Sequence, residues 1–503
     1  MKWRNPVILV VLDGYGFNED TKGNAIYEAE TPNMDFLLKN YPSTSVPAHG
    51  KHVGLLPGGL GGSEVGHMHI GAGRPVPQMP KVITESIENK DFFDKKALKD
   101  AINHAESNDG KLHVMGLCSD KGVHSLIQHL YAVLEYADRE DFEDVVVHMF
   151  LDGRDTDPKV ALEFVDELED EIEKFTGNIA TVSGRYYAMD RDRRWDRTKK
   201  AYDAMVKGEG LKADSAREAV EEAYDRGETD EFVKPTVIEE EKVESGDSLF
   251  IFNFRADRCI QMTRAFIEDD FDKFNTKELE NLFFSSMTKY SEDFKNPVMF
   301  NKKLVENTLG EVLEKHGLKH YRIAETEKLA HVTYFFSGRR EKPFEGEERE
   351  IFPSPKVDVY DKTPEMRAEA IKDKAIDVME EEKHDFIFVN FSNCDMVGHT
   401  GVFDAAVKAT EKVDECIGEI HEYCKNSEYV LMITADHGNA EEMKDDKGDT
   451  LTAHSKNPVP FILCEDWDIN FDEQPELYKI APAVLRINGV SSKIMSDPIF
   501  RIR

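Results

Sequence analysis

Three apolar runs in this chain each lead into an aspartate. Val7–Leu12 ends on Asp13. Phe386–Phe391 leads to Asp395, with His399 four residues further on. Tyr429–Thr434 leads to Asp436 and His437. These runs have the composition of buried strands. In an open α/β sheet, sites form just beyond the carboxyl ends of the strands. Three carboxylates and two imidazoles should therefore converge on one crevice. Such a mixed oxygen and nitrogen set suits two divalent cations. Ala453-His454-Ser455, just before the apolar run Val459–Leu463, adds a third imidazole.

Beside these strands lies Ser63, in the glycine-rich segment Gly58–His67. Its plainest reading is a turn residue or helix cap. The glycines, however, allow the backbone to approach a phosphate or metal closely. A serine hydroxyl is nearly inert at neutral pH, and coordination to a metal would activate it as a nucleophile. Two metals beside such a serine point to phosphoryl transfer through a phosphoserine.

More than 300 residues separate Ser63 from Asp395, and they carry their own α/β alternation. Strands are expected at Leu112–Leu117, Val145–Leu151, Ile179–Val182 and Leu249–Phe254, with helices at Ala161–Phe175 and Thr198–Val206. The fold class is thus α/β, with one sheet domain inserted into another. Two proline-bearing segments, Arg74–Pro80 and Asn296–Asn301, mark the crossings. The expected domains are residues 1–76 with 302–503, and residues 77–301. At the strand ends of the insertion lie Ser119–His124, Asp152–Asp155, Ser183–Arg185 with Arg191, and Arg255–Arg258. Arg154, Arg185, Arg191, Arg255 and Arg258 would form an anion pocket, since guanidinium forks match carboxylate and phosphate oxygens. Arg193 and Arg194 read as surface ion-pairing residues.

The formal net charge of −35 argues against nucleic acid and anionic membrane as partners. It reads as a solvated acidic surface, with adaptation to a high-salt cytoplasm as the alternative. No apolar run approaches the roughly 20 residues of a membrane span. The N-terminal residues lead directly into a strand, without the pattern of a signal peptide. The six scattered cysteines form no C-x-x-C pair, as expected of reduced thiols. A cytoplasmic, non-membrane protein is expected.

The motifs resemble those of the cofactor-independent phosphoglycerate mutases, within the alkaline-phosphatase-like superfamily. The resemblance covers essentially the whole chain. It is carried by Val11–Gly14, Gly23–Ile26, Ser63–His67, Ile70–Arg74, Phe150–Asp155, Ser183–Asp190, Phe252–Arg258, Asp395–Gly401 and Thr434–Asn439. It implies an alkaline-phosphatase-like doubly wound sheet domain that binds metal, and an inserted substrate-binding transferase domain. It also implies two manganese ions, one held by Asp13, Ser63, Asp436 and His437, the other by Asp395, His399 and His454. Ser63 would carry the phosphoryl group and Lys328 would help neutralise it. His124, Arg154, Asp155, Arg185, Arg191, Arg255 and Arg258 would grip glycerate, with Asp155 as the base for its hydroxyl.

The implied reaction interconverts 3-phosphoglycerate and 2-phosphoglycerate in glycolysis and gluconeogenesis, without 2,3-bisphosphoglycerate, and the family suggests a monomer. A metal-dependent phosphatase or sulfatase of the same superfamily is the alternative, and a catalytically inert metal-binding scaffold a third. Four positions depart from the family pattern: Gly62 where asparagine is usual, Lys121 for glycine, Cys394 for proline and Ile260 for arginine.

Overall fold

The computed structural model describes residues 4–503. The chain divides into two compact units. One runs to Gln78 and resumes at Leu304; the other is Met79–Lys303.

The first unit is built on a seven-stranded sheet. Val7–Leu12 lies at its centre, flanked in parallel by Phe386–Phe391 and Val430–Thr434. All three strands are buried along their length, which is why they read as mostly apolar runs, with Asn390 and Thr434 the polar exceptions. Burial of each such valine, leucine or isoleucine contributes roughly 1.5–3 kcal/mol. The register pairs Leu12 with Phe391 and Val11 with Thr434. The three carboxyl ends therefore finish level, and Asp13, Asp395 and Asp436 emerge on one edge.

Val459–Leu463 pairs antiparallel with Val430–Thr434, Phe461 opposite Thr434. Its amino end thus lies beside its neighbour's carboxyl end, which delivers His454 to the same edge. Gly14 permits the tight exit after the central strand. Its φ is +75°, and a Cβ there would stand 2.6 Å from the Asp395 Cα. No helix among the described residues is long and apolar enough to cross a membrane.

The second unit contains an eight-stranded sheet. Its parallel core joins Phe283–Thr288, Ser248–Ile251, Leu112–Cys118, Val145–Leu151 and Asn178–Gly184 in that order. One expected strand is shorter than its apolar run. Leu249–Phe254 leaves the sheet after Ile251. There the Asn253 side chain, not a continuing ladder, accepts the Leu117 N–H at 2.9 Å. The chain is thereby released into the turn that carries Arg255 and Arg258.

Candidate active site

The first unit's site is organised around Ser63. This residue is the first of the helix Ser63–Ala72, where unpaired backbone N–H groups and the helix dipole favour negative charge. The helix packs so closely that a Cβ at Gly66 would stand 2.5 Å from the Asp436 carbonyl. Ser63 Oγ lies 3.0 Å from Asp13 Oδ1, 3.0 Å from His437 Nε2 and 2.8 Å from Lys328 Nζ. Lys328 also bonds Asp13 Oδ1 at 2.6 Å and Asp395 Oδ2 at 2.7 Å.

Asp13, Asp395 and Lys328 are all buried. Burial alone would push the two carboxyls up, but Lys328, with His437 at Asp13 and with His399 and His454 at Asp395, more than offsets it and holds both well below the usual carboxylate range. Burial would likewise lower Lys328, yet the surrounding aspartates push it upward. His437 is pulled down by burial but raised to about 10 by Asp436, Asp13 and Asp395.

Two sets of ligating atoms lie within 4.8 Å of one another: Asp13, Asp436 and His437, and Asp395, His437 and His454. His437 belongs to both, whereas the sequence reading gave it to one. His399 joins the second set, its Nε2 3.1 Å from Asp395 Oδ1. It does so from the C-terminal end of the short helix Asn393–Gly398, which begins two residues after the sheet strand.

The donor chemistry fits divalent cations. His399 Nδ1 bonds the Thr452 carbonyl at 2.7 Å, and His454 Nδ1 the Gly61 carbonyl at 2.8 Å. A carbonyl only accepts, so each Nδ1 carries the ring proton and each Nε2 presents a lone pair. Those two Nε2 atoms stand 3.1 Å apart, beside a carboxylate oxygen. Facing lone pairs need a cation or a proton between them. Histidine ligands oriented through the opposite nitrogen are usual at metal sites.

Several supporting roles escaped the sequence reading. His67, four residues after Ser63 on the same helix face, bonds the Ser63 carbonyl at 3.0 Å. Asn390 donates to Asp13 Oδ2 at 2.9 Å and to His67 Nε2 at 3.0 Å. Asn439 donates to Asp395 Oδ1 at 3.2 Å. Buried Glu441 ties three loops together, accepting from Gly16 N, Asn439 N, Asn457 and Ser455. The i,i+4 spacing of Ser63 and His67 was the available signal for the first of these. Gly62 backs onto His454, and a Cβ there would meet its ring at 3.2 Å. The thiol of Cys394 is pushed up to about 12 by burial and bonds Thr410.

In the second unit the five arginines differ in setting. Arg185 is buried and bonds Asp152 Oδ1 at 2.6 Å, Asp155 Oδ2 at 2.5 Å and His124 Nε2 at 3.1 Å. Arg191 and Arg255 are half-exposed and share Asp257. Arg258 donates to the Met189 carbonyl at 3.1 Å. Arg154 leans out toward Glu231 at 3.5 Å. The arginines expected to form an anion pocket are thus mostly held by acids of the same unit. Four of the five stand beside an acid, in keeping with the acidic composition of the chain, and only Arg258 bonds a carbonyl instead. His124 is buried and lowered to about 4, by burial first and Arg185 second.

Sheet, serine and carboxylate–imidazole cluster together define an alkaline-phosphatase-like metalloenzyme domain. Residues 291–491 match the model of type I phosphodiesterase / nucleotide pyrophosphatase, and residues 83–292 that of the BPG-independent PGAM N-terminus. A relative in Methanosarcina acetivorans, 2,3-bisphosphoglycerate-independent phosphoglycerate mutase 1, is 49% identical over 97% of this chain and 96% of its own. The Clostridioides difficile 2,3-bisphosphoglycerate-independent phosphoglycerate mutase is 49% identical over 96% of each chain. The structure of Leishmania mexicana phosphoglycerate mutase at low cobalt concentration superposes with a TM-score of 0.73 and 30% identity, over 99% of this chain and 98% of that one. The chain belongs to the family of 2,3-bisphosphoglycerate-independent phosphoglycerate mutases.

Proposed function

We propose that the protein interconverts 3-phosphoglycerate and 2-phosphoglycerate through a phosphoserine on Ser63, with no 2,3-bisphosphoglycerate. The observation that carries this reading is Ser63 Oγ within 3.0 Å of Asp13, His437 and Lys328, at a helix N-terminus. The near full-length likeness to enzymes of that name supports it.

Asp13, Ser63, Asp436 and His437 would hold one divalent cation, and Asp395, His399 and His454 the other, with manganese the choice for their mixed donors. Bound there, such ions supply positive charge that favours a serine alkoxide and offsets charge on phosphoryl oxygens. Ser63 Oγ attacks phosphorus in line with the departing glycerate oxygen, and the P–O bond to glycerate breaks as the bond to Ser63 forms. Lys328 Nζ donates to the oxygens that gain charge. In the second unit, Arg154, Arg185, Arg191, Arg255, Arg258 and His124 retain glycerate while it reorients. Asp155 removes the proton from the 2-hydroxyl, which then takes the phosphoryl group back.

The same reading makes the protein a glycolytic and gluconeogenic enzyme, cytoplasmic and monomeric, acting on a small anion. The test is mutase activity of chelator-treated protein, with manganese, cobalt, zinc or magnesium restored singly and no bisphosphoglycerate added. Activity should return with metal alone. Full activity in chelator, or a need for the bisphosphate, would refute the reading. Phosphate release at the rate of substrate turnover would instead favour the phosphatase alternative.

A further inference from the structure

Asp257, which the sequence reading passed over, sits among the arginines of the second unit. Its Oδ2 accepts from Arg191 Nη1 at 2.9 Å. Its Oδ1 lies 3.2 Å from Arg255 Nε and 3.6 Å from His124 Nδ1, and is buried without a hydrogen bond to either.

The other end of His124 settles where its proton is. Arg185 Nη2 approaches His124 Nε2 at 3.1 Å, and a guanidinium can only donate. Nε2 therefore accepts, and Nδ1 carries the hydrogen. That N–H is itself buried and lacks an acceptor, with the Asp257 carboxylate as its charged neighbour. The two segments are also tied through the backbone, since the His124 carbonyl accepts from Phe254 N at 2.9 Å and Arg255 N at 3.3 Å. At 3.6 Å, Asp257 Oδ1 stands just beyond hydrogen-bond reach of that N–H. Burial favours the neutral form of this carboxyl, but Arg255, His124 and Arg191 outweigh it and hold it below the usual range.

We propose that Asp257 is an exchangeable counter-ion. It holds Arg191 and Arg255 while no anion is bound, and when the substrate's anionic group takes those guanidiniums it becomes the acceptor for His124 Nδ1–H. This rests on the mutase reading for the identity of the substrate, but the exchange itself can be tested with a simple anion. Arginines that already carry a counter-ion bind substrate less tightly and release it more readily. The carboxylate freed by substrate in turn locks His124 in the tautomer that Arg185 requires.

The probe is inorganic sulfate, titrated calorimetrically into the full chain. Asp257→Asn keeps the shape and removes the charge, and should bind sulfate about fivefold tighter, the size expected for freeing two half-exposed ion pairs. Adding Arg191→Ala to that variant should remove the gain. Asp257→Glu, which restores the charge, should return to wild-type affinity. In turnover, KM for 3-phosphoglycerate should fall in Asp257→Asn while kcat does not rise. Unchanged or weaker sulfate binding in an Asp257→Asn protein that melts like wild type would overturn the proposal. If that variant does not fold, the same titration on Asp257→Ser decides. Failure of the mutase reading shows separately, as a wild-type protein that does not convert 3-phosphoglycerate, and leaves the sulfate result standing.

Discussion

The two units handle charge in opposite ways. In the first, Lys328, Asp13 and Asp395 are sealed from solvent, with side-chain exposures of 3%, 0% and 4%. In the second, Arg154, Arg191 and Arg255 keep 58%, 47% and 50% of their side chains exposed. Buried charges must be paired at fixed geometry, because each unpaired ion costs several kcal/mol. Exposed pairs are worth little and exchange easily. A rigid, dry cluster suits bond-making, which needs preorganised donors. A wet cluster of exchangeable pairs suits a substrate that must be gripped, turned and released. Arg185 is the exception in the second unit, being buried and doubly paired, and it is the residue there that should behave like a member of the first.

The contrast is open to experiment, beginning with the largest effect. Ser63→Ala should reduce kcat by at least about 10⁴-fold while leaving the melting temperature and most of the metal content in place. Coupled assay and metal analysis would check this, and appreciable turnover would remove Ser63 as nucleophile. Next, Lys328→Met leaves two buried carboxylates without their ammonium. It should destabilise the metal-free protein by roughly 3–5 kcal/mol, and added divalent cation should restore part of that in a thermal melt. An unchanged melting temperature would mean the cluster is less sealed than its geometry indicates.

Asp155→Asn acts on one direction of the chemistry. Asp155 must protonate the 2-oxygen when 2-phosphoglycerate donates, but has no such task when 3-phosphoglycerate does. A single-turnover quench should therefore show normal loading of Ser63 from 3-phosphoglycerate and slow loading from 2-phosphoglycerate. Equal rates would reduce Asp155 to a positioning role.

The most gradual effect is on stability against pH. Burial lowers His129, in the second unit, to about 3. The unfolded chain takes up that proton near pH 6.5, whereas the folded chain does so only near pH 3. Stability from this residue is complete above pH 6.5 and is lost as pH falls toward 3, at about 1.4 kcal/mol per pH unit. His129→Gln should flatten that part of the stability profile in denaturant titrations. A slope identical to wild type would show that other groups dominate.

The strands were legible because a fully buried strand is mostly apolar, with an occasional polar residue such as Asn390. Val7–Leu12, Val145–Leu151, Phe386–Phe391 and Val459–Leu463 have the same bounds in the sequence pattern and in the structure. The gathering of Asp13, Asp395 and Asp436 follows from strand ends alone. Lys328 was a different matter. It sits on a single 3-10 turn, Thr326–Lys328, after the strand His320–Glu325, and came into the sequence reading only through family resemblance. The Leu249–Phe254 run overshot because apolar composition does not record where a side-chain amide takes over the ladder. His67 was visible as a motif residue, but its bonds to Ser63 and Asn390 were not.

What the sequence determined by itself is therefore the α/β class, the main buried strands, and the acids, histidines and arginines placed at their ends. These are local matters of periodicity and composition, settled within a few residues. Only the tertiary structure decided that His437 serves both ligand sets, that Val459–Leu463 runs antiparallel and so delivers His454, and that Asp257 rather than open solvent faces Arg191 and Arg255. Those outcomes depend on which side chains meet after segments hundreds of residues apart have packed, and on charges choosing partners by distance and burial, neither of which is written in the spacing of residues along the chain.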